Sequence, residues 1–359
     1  MRTTFTVLLF SIASMTAAPE KIIFDTDSGP FNDDGVALVM LLQSSTKVSI
    51  EGVTTVPGNV WPVAGAEYML ANLKMMQRSD IPVYIGAENP LVSTASSVAA
   101  AAQRWGQQSY IGAFAQTRPL ERKQVEPPPY FGFSGLAPQK ENAVDFIART
   151  ILAHPGDITL FAIGPMTNLA MALRLHPEVE TKVKRLVFMG GAEGVPGNVN
   201  DAAEFNFWFD PEAAQVVLRS RIREKVMFGL DVCNHAVLTK TIFDEIVKVK
   251  TAVTEVYETD FGRKGFPAFV TNPSATALLW DELAAGYLID PSFVTESQSM
   301  YLDVDTRFSK DYGRVIPLDR SLAPDATPVQ VMLNLDSAKI FAMYKDLLTR
   351  PISRKKANP

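Results

Sequence analysis

Short apolar runs alternate with longer stretches of helical periodicity from residue 21 onwards, and this alternation limits the folds open to the chain. "KIIFD" has the length and composition of a buried strand, and "DDGVALVMLLQ" behind it reads as a helix. The pair of signals recurs as "VSIEGVTTV" before "PVAGAEYMLANLKMMQ", "DITLFAIG" before "PMTNLAMALRL", and "VKRLVFMGG" before "PEAAQVVLRS". Further strands are expected at "IPVYIG" and "KVMFGLD". Pro62 stands near the start of its helix, where a missing N–H costs nothing. Strand-then-helix order predicts an α/β fold with a mainly parallel central sheet flanked by helices. Functional residues of such a sheet gather in loops beyond the carboxyl ends of its strands. Residues 93–138, which include "EPPPYFGFSG", break the pattern and read as an insertion or long loop.

One junction carries an unusual charge load. In "IIFDTDSGPFNDDGVALVMLL", Asp25, Asp27, Asp33 and Asp34 sit between two apolar segments. A helix N-terminus offsets part of their mutual repulsion, and a hard cation with oxygen ligands would offset far more. An EF-hand loop starting at Asp25 would need Gly at its sixth place and Glu at its twelfth, where Pro30 and Val36 stand. A phosphatase of the haloacid dehalogenase type shares only the D-x-D start, with Gly29 next. No Walker loop is present.

The whole segment "FDTDSGPFNDDGVAL" resembles the N-terminal signature of the nucleoside hydrolases, D-x-D-x-G-x-D-D-A-x-A-L. It has two extra residues before Asp33, and Gly35 where Ala is usual. Four later segments resemble that family's motifs in order: "EGVTTVPGN", "ITLFAIGPMTNLAMAL", "MGGAEGVPGNVNDAAEFNFWFDPEAA" and "WDELAAGYLIDPS". The resemblance runs over about residues 21–349. It implies a single catalytic domain over residues 19–349, followed by a basic tail at 350–359.

The resemblance also implies a calcium ion that holds the attacking water and two ribose hydroxyls. Asp27, Asp34 and Asp281 match its acidic ligands, and the carbonyl of Ile163 matches its backbone ligand. Asp281 taken alone would read as a helix N-cap. Asp27 also matches the base that takes a proton from the water, with Asp25 tuning this shell from behind or joining it. Asp33 matches the carboxylate on the ribose hydroxyls, and Asn59, Asn198, Glu204 and Asn206 match the remaining ribose contacts. Glu204 and Asn206 alternate with Phe205 and Phe207, as in an extended segment with one face toward ligand.

Trp280 departs from the His that many members carry before the last metal ligand. Indole cannot act as an acid at neutral pH. Members that prefer purines also carry Trp there and stack the base between aromatic rings. Trp105 falls where such members carry a second ring; on its own it reads equally as core filler. His154, His176 and His235 lie outside the motifs. The implied activity is cleavage of a nucleoside by water to base and ribose, with purines preferred. Alternatives are a pyrimidine or broad-specificity hydrolase, or a catalytically silent nucleoside- or sugar-binding protein. The resemblance implies a homodimer or homotetramer.

Composition narrows the partners further. The net charge is −5, and no long basic run precedes the tail, which argues against nucleic acid and anionic membranes as partners. "MRTTFTVLLFSIASMTAA" has the charged start, apolar run and small residues of a secretory signal peptide over residues 1–18, so export is expected. Cys233 is the only cysteine, which excludes an intrachain disulfide, and it reads as a small buried hydrophobe.

Overall fold

The computed structural model describes residues 18–130 and 132–352. Residues 1–17 of the expected leader and 353–359 of the expected tail lie outside the described residues.

Six parallel strands form the body of the sheet: β1 (Glu20–Thr26), β2 (Val48–Thr55), β3 (Val83–Ile85), β4 (Ile158–Ala162), β5 (Arg185–Met189) and β6 (Lys225–Phe228). Two later strands, β7 (Val294–Met300) and β8 (Val329–Leu335), complete it in the order β3-β2-β1-β4-β5-β6-β8-β7. Only β7 runs antiparallel, against β8. The central strands are buried on both faces, as a parallel sheet between helix layers must be; Ile22, Ile23 and Phe24 are fully enclosed. The alternation read from the sequence thus corresponds to the observed α/β architecture.

Helices α1 (Asp33–Gln43), α2 (Pro62–Met75), α4 (Ala143–Ala153), α5 (Thr167–Leu175) and α7 (Pro211–Leu218) cover the faces, with α8 (Asp281–Ile289) and α9 (Ser337–Thr349) packed near α1. Between α2 and α4, the stretch expected to be irregular contains α3 (Ala95–Trp105). Its start is set by Thr94 and Ser97, whose side chains cap each other's backbone N–H groups. Single helical turns at Gly112–Ala115 and Arg122–Gln124 follow.

A second difference lies at residues 204–209. The segment expected to be extended is the short helix α6 (Phe205–Phe209). Glu204 is its N-cap and accepts from the N–H groups of Asn206 and Phe207. A carboxylate satisfying two orphan donors outweighs the two-residue alternation that suggested a strand.

The strand order reverses at β1, which pairs with β2 on one side and β4 on the other. Loops leaving the carboxyl ends of β1, β2 and β4 therefore diverge and leave a crevice, where ligands bind in open α/β sheets.

Candidate active site

The crevice opens into a cavity of about 780 Å³. Asp33, Asn59, Ile163, Asn198, Glu204, Asn206, Trp280 and Asp281 line it, so eight of the residues singled out by sequence meet in one place. Asp27 and Asp34 lie buried beneath this wall.

The acidic centre is built from one strand end and two helix starts. Asp27 follows β1, Asp33 and Asp34 occupy the first turn of α1, and Asp281 opens α8. Both helix N-termini direct partial positive charge at the carboxylates. Oxygens of Asp33, Asp34 and Asp281 all lie within 4.8 Å of one another. The carboxyl groups of Asp27 and Asp34 stand within hydrogen-bond reach. Asp34 is oriented by Thr26 Oγ1 and by Asn32 Nδ2, the latter at 2.7 Å. Asp27 Oδ2 accepts from the Asn59 N–H at 2.7 Å.

Burial pushes Asp27, Asp33, Asp34 and Asp281 above the usual carboxylate range, and repulsion from neighbouring carboxylates adds to the effect at Asp27, Asp33 and Asp281. Without a counter-charge, ionising all four of these groups together is costly. Crowded oxygen donors, with no cationic side chain bonded to them among the described residues, fit a hard divalent cation. Asp33, expected only at the ribose hydroxyls, belongs by position with Asp34 and Asp281.

Asp25 lies behind the centre. Its Oδ1 accepts from Asn168 Nδ2 at 2.7 Å and from Thr54 Oγ1. Burial moves its pKa up to about 7 despite these bonds. Asn168 comes from the "PMTNLAMAL" segment and also accepts from the Ala87 N–H, so one amide joins three strand ends.

Asn206, Glu204 and Asn198 in the cavity wall have defined polarity. Both amide hydrogens of Asn206 go to backbone carbonyls, Ile163 at 3.0 Å and Met189 at 3.1 Å, so any further partner must meet its Oδ1. Glu204 holds the N–H groups of Gly191, Asn206 and Phe207. Burial moves its pKa up to about 7, against the lowering effect of those bonds. Asn198 Oδ1 accepts from the Phe205 N–H at 2.9 Å.

Trp280 is half-buried in the cavity wall, its backbone N–H bonded to Glu282 Oε2 at 3.0 Å. Trp105 does not line this cavity. It faces a separate cleft of about 380 Å³ and packs edge-on against Phe308, with ring centroids 5.5 Å apart. Besides Trp280, the aromatic side chains that line the main cavity are Phe31, Tyr110, Phe205, Phe261 and Phe266. Asp260 and Lys264 line it too and pair at 2.7 Å. Sequence reading missed them because the wide-turned helix Tyr257–Gly265 matches no quoted motif. It also missed Glu282, a fully buried acid beside Asp281 that looks in sequence like ordinary helix-start polarity.

The model of the inosine-uridine preferring nucleoside hydrolase family matches residues 22–342. A pyrimidine-specific ribonucleoside hydrolase, RihB of Escherichia coli, is 31% identical over 328 residues, covering 91% of this chain and 96% of its own. The protein of that name from Escherichia fergusonii is 32% identical over 330 residues, with the same coverage. Among solved structures, a plant nucleoside hydrolase superposes with a TM-score of 0.75 at 25% identity, over 93% of this chain and 100% of that one. A purine-preferring ribonucleoside hydrolase from Gardnerella vaginalis superposes with a TM-score of 0.73 at 27% identity, over 92% and 98%.

Proposed function

The chain belongs to the inosine-uridine preferring nucleoside hydrolase family, and from that membership we propose that it is an exported, calcium-dependent N-ribohydrolase that cleaves purine nucleosides in preference to pyrimidine ones. Calcium is the ion of choice because every donor in the cluster is oxygen and the carboxylates approach from three chain segments. When bound, the ion would polarise a water and hold ribose hydroxyls.

The protein's own groups have separable tasks. Asp27, fixed by the Asn59 N–H, takes the proton from the attacking water. Asp33, Asn59, Asn198, Glu204 and Asn206 surround the sugar. The Oδ1 of Asn206 and the carboxylates favour the positive charge that develops on ribose as the glycosidic bond breaks. Export is supported by the leader-like residues 1–18.

Trp280 on the cavity wall carries the purine assignment. Among the described lining residues no histidine is present. The Tyr110 hydroxyl donates to Asn59, and the Lys264 ammonium is paired with Asp260. A purine can accept a proton from solvent at a ring nitrogen and leave neutral, and an indole face favours that cation. The pyrimidine-specific names of the Escherichia relatives support the second reading, in which pyrimidines are cleaved faster. Ribose release from a panel of purine and pyrimidine nucleosides, with and without chelator, tests both. No release from any nucleoside would overturn the proposal, and faster uridine than inosine cleavage would establish the second reading.

A further inference from the structure

The segment Ser109 to Gln116 is a strap joining the loop after β2 to the loop ahead of α6. On one side Ser109 Oγ donates to the carbonyl of Asn198 at 2.6 Å, and the Ser109 N–H donates to the carbonyl of Val199 at 3.0 Å. On the other, the Ala113 N–H donates to the carbonyl of Gly58 at 2.7 Å, and Gln116 Nε2 donates to the carbonyl of Asn59 at 3.0 Å. The Trp61 indole N–H fixes the carbonyl of Gln116 at 3.1 Å. The approach is close enough to require glycine at 112. Its φ is +52°, and a Cβ there would lie 2.3 Å from the Gly58 carbonyl oxygen.

Tyr110 follows Ser109 in the strap and lines the cavity. Its ring packs on Phe205 with centroids 4.9 Å apart, and its hydroxyl donates to Asn59 Oδ1 at 3.0 Å. That bond selects one of two amide orientations. With Oδ1 turned to a donor, Nδ2 is the end of Asn59 left for a ligand oxygen. Without it the amide could rotate and present an acceptor instead. The backbone N–H of the same Asn59 holds Asp27, so the strap braces a residue that serves the sugar through its side chain and the base through its main chain.

We propose that Tyr110 is a positioning residue for the sugar, acting through Asn59 by fixing the amide of that residue as a hydrogen-bond donor to a ribose hydroxyl. The inference rests on the nucleoside hydrolase reading for the identity of the sugar. It assigns a substrate-orienting task to a part of the chain outside the five family-like segments.

The test is a double-mutant cycle of Tyr110→Phe and Asn59→Ala. It is read out in kcat/KM for the favoured nucleoside and, separately, in the Kd of D-ribose for the calcium-loaded protein. Tyr110→Phe keeps the ring on Phe205 and removes only the hydroxyl. It is expected to weaken ribose binding and kcat/KM by about three- to tenfold in the otherwise wild-type protein, the range for one neutral hydrogen bond. In the Asn59→Ala background the same change is expected to cost less than about twofold, because the partner is gone. A Tyr110→Phe protein that binds ribose as wild type does, losses that multiply in the double variant, or a wild-type protein with no affinity for ribose would each overturn the proposal. Ribose binding with the expected coupling, but without hydrolysis of any nucleoside, would uphold it and overturn the enzymatic reading instead.

Discussion

The main-chain N–H of Asn59 donates to Oδ2 of Asp27 at 2.7 Å, joining the loop after β2 to the loop after β1. The turn that makes this contact passes so close that a Cβ at Gly58 would stand 2.0 Å from the same oxygen. Asp27 is thereby fixed by a group that cannot itself titrate.

Asp27→Ala should lower kcat by at least about 10²-fold, the lower end of what a general base contributes. Gly58→Ala, which leaves the carboxylate present but displaced, should cost about 10²-fold as well. Steady-state kinetics on both variants check this. Near wild-type turnover in Asp27→Ala would remove Asp27 from the mechanism.

Protein purified without chelator should contain one divalent ion per chain by elemental analysis, and calcium should raise the melting temperature of EDTA-treated protein. At a hundredfold excess over Kd the gain is about 2.7 kcal/mol. Asp281→Asn should abolish both effects. An active protein with no stoichiometric divalent ion would refute the site.

Stability without the ion should depend on pH in a particular direction. Asp25 and Glu204 are held at about 7 in the folded state by burial, against ordinary values of 3.8 and 4.5. Between about pH 4 and 7 the folded protein therefore binds more protons than the unfolded chain, and its unfolding free energy falls as pH rises. Chemical denaturation in EDTA should give lower midpoints at pH 8 than at pH 5. In excess calcium the slope should flatten or reverse, since the ion needs deprotonated oxygens. A metal-free protein that gains stability from pH 5 to 8 would contradict the buried-carboxylate assignment.

Trp280→Ala should lower kcat for purine nucleosides more than it raises KM. One cation–π contact is worth about 0.5–2 kcal/mol, which corresponds to roughly 2- to 30-fold in rate. The comparison is steady-state kinetics on inosine and uridine with wild type and variant. An unchanged purine kcat would show that the indole takes no part in expelling the base.

Period and motif in the sequence determined the sheet with its covering helices, and the set of residues from Asp27 to Asp281 that meet at its carboxyl edge. Strand burial and the run of carboxylates from Asp25 to Asp34 are local properties, legible without coordinates, whereas Asp281 was placed by motif resemblance. Only the tertiary structure decided the surroundings of those residues. Glu204 became a helix cap because nearby N–H groups needed an acceptor, and Trp105 went to a neighbouring cleft because α3 carries it there. Tyr110, Gln116 and Lys264 reached the cavity through segments with no motif, and their partners lie between 4 and 57 residues away along the chain. The physical reason is that a side chain's task in a crevice depends on which loops converge there. That convergence is set by packing among many distant residues rather than by the local pattern around any one of them.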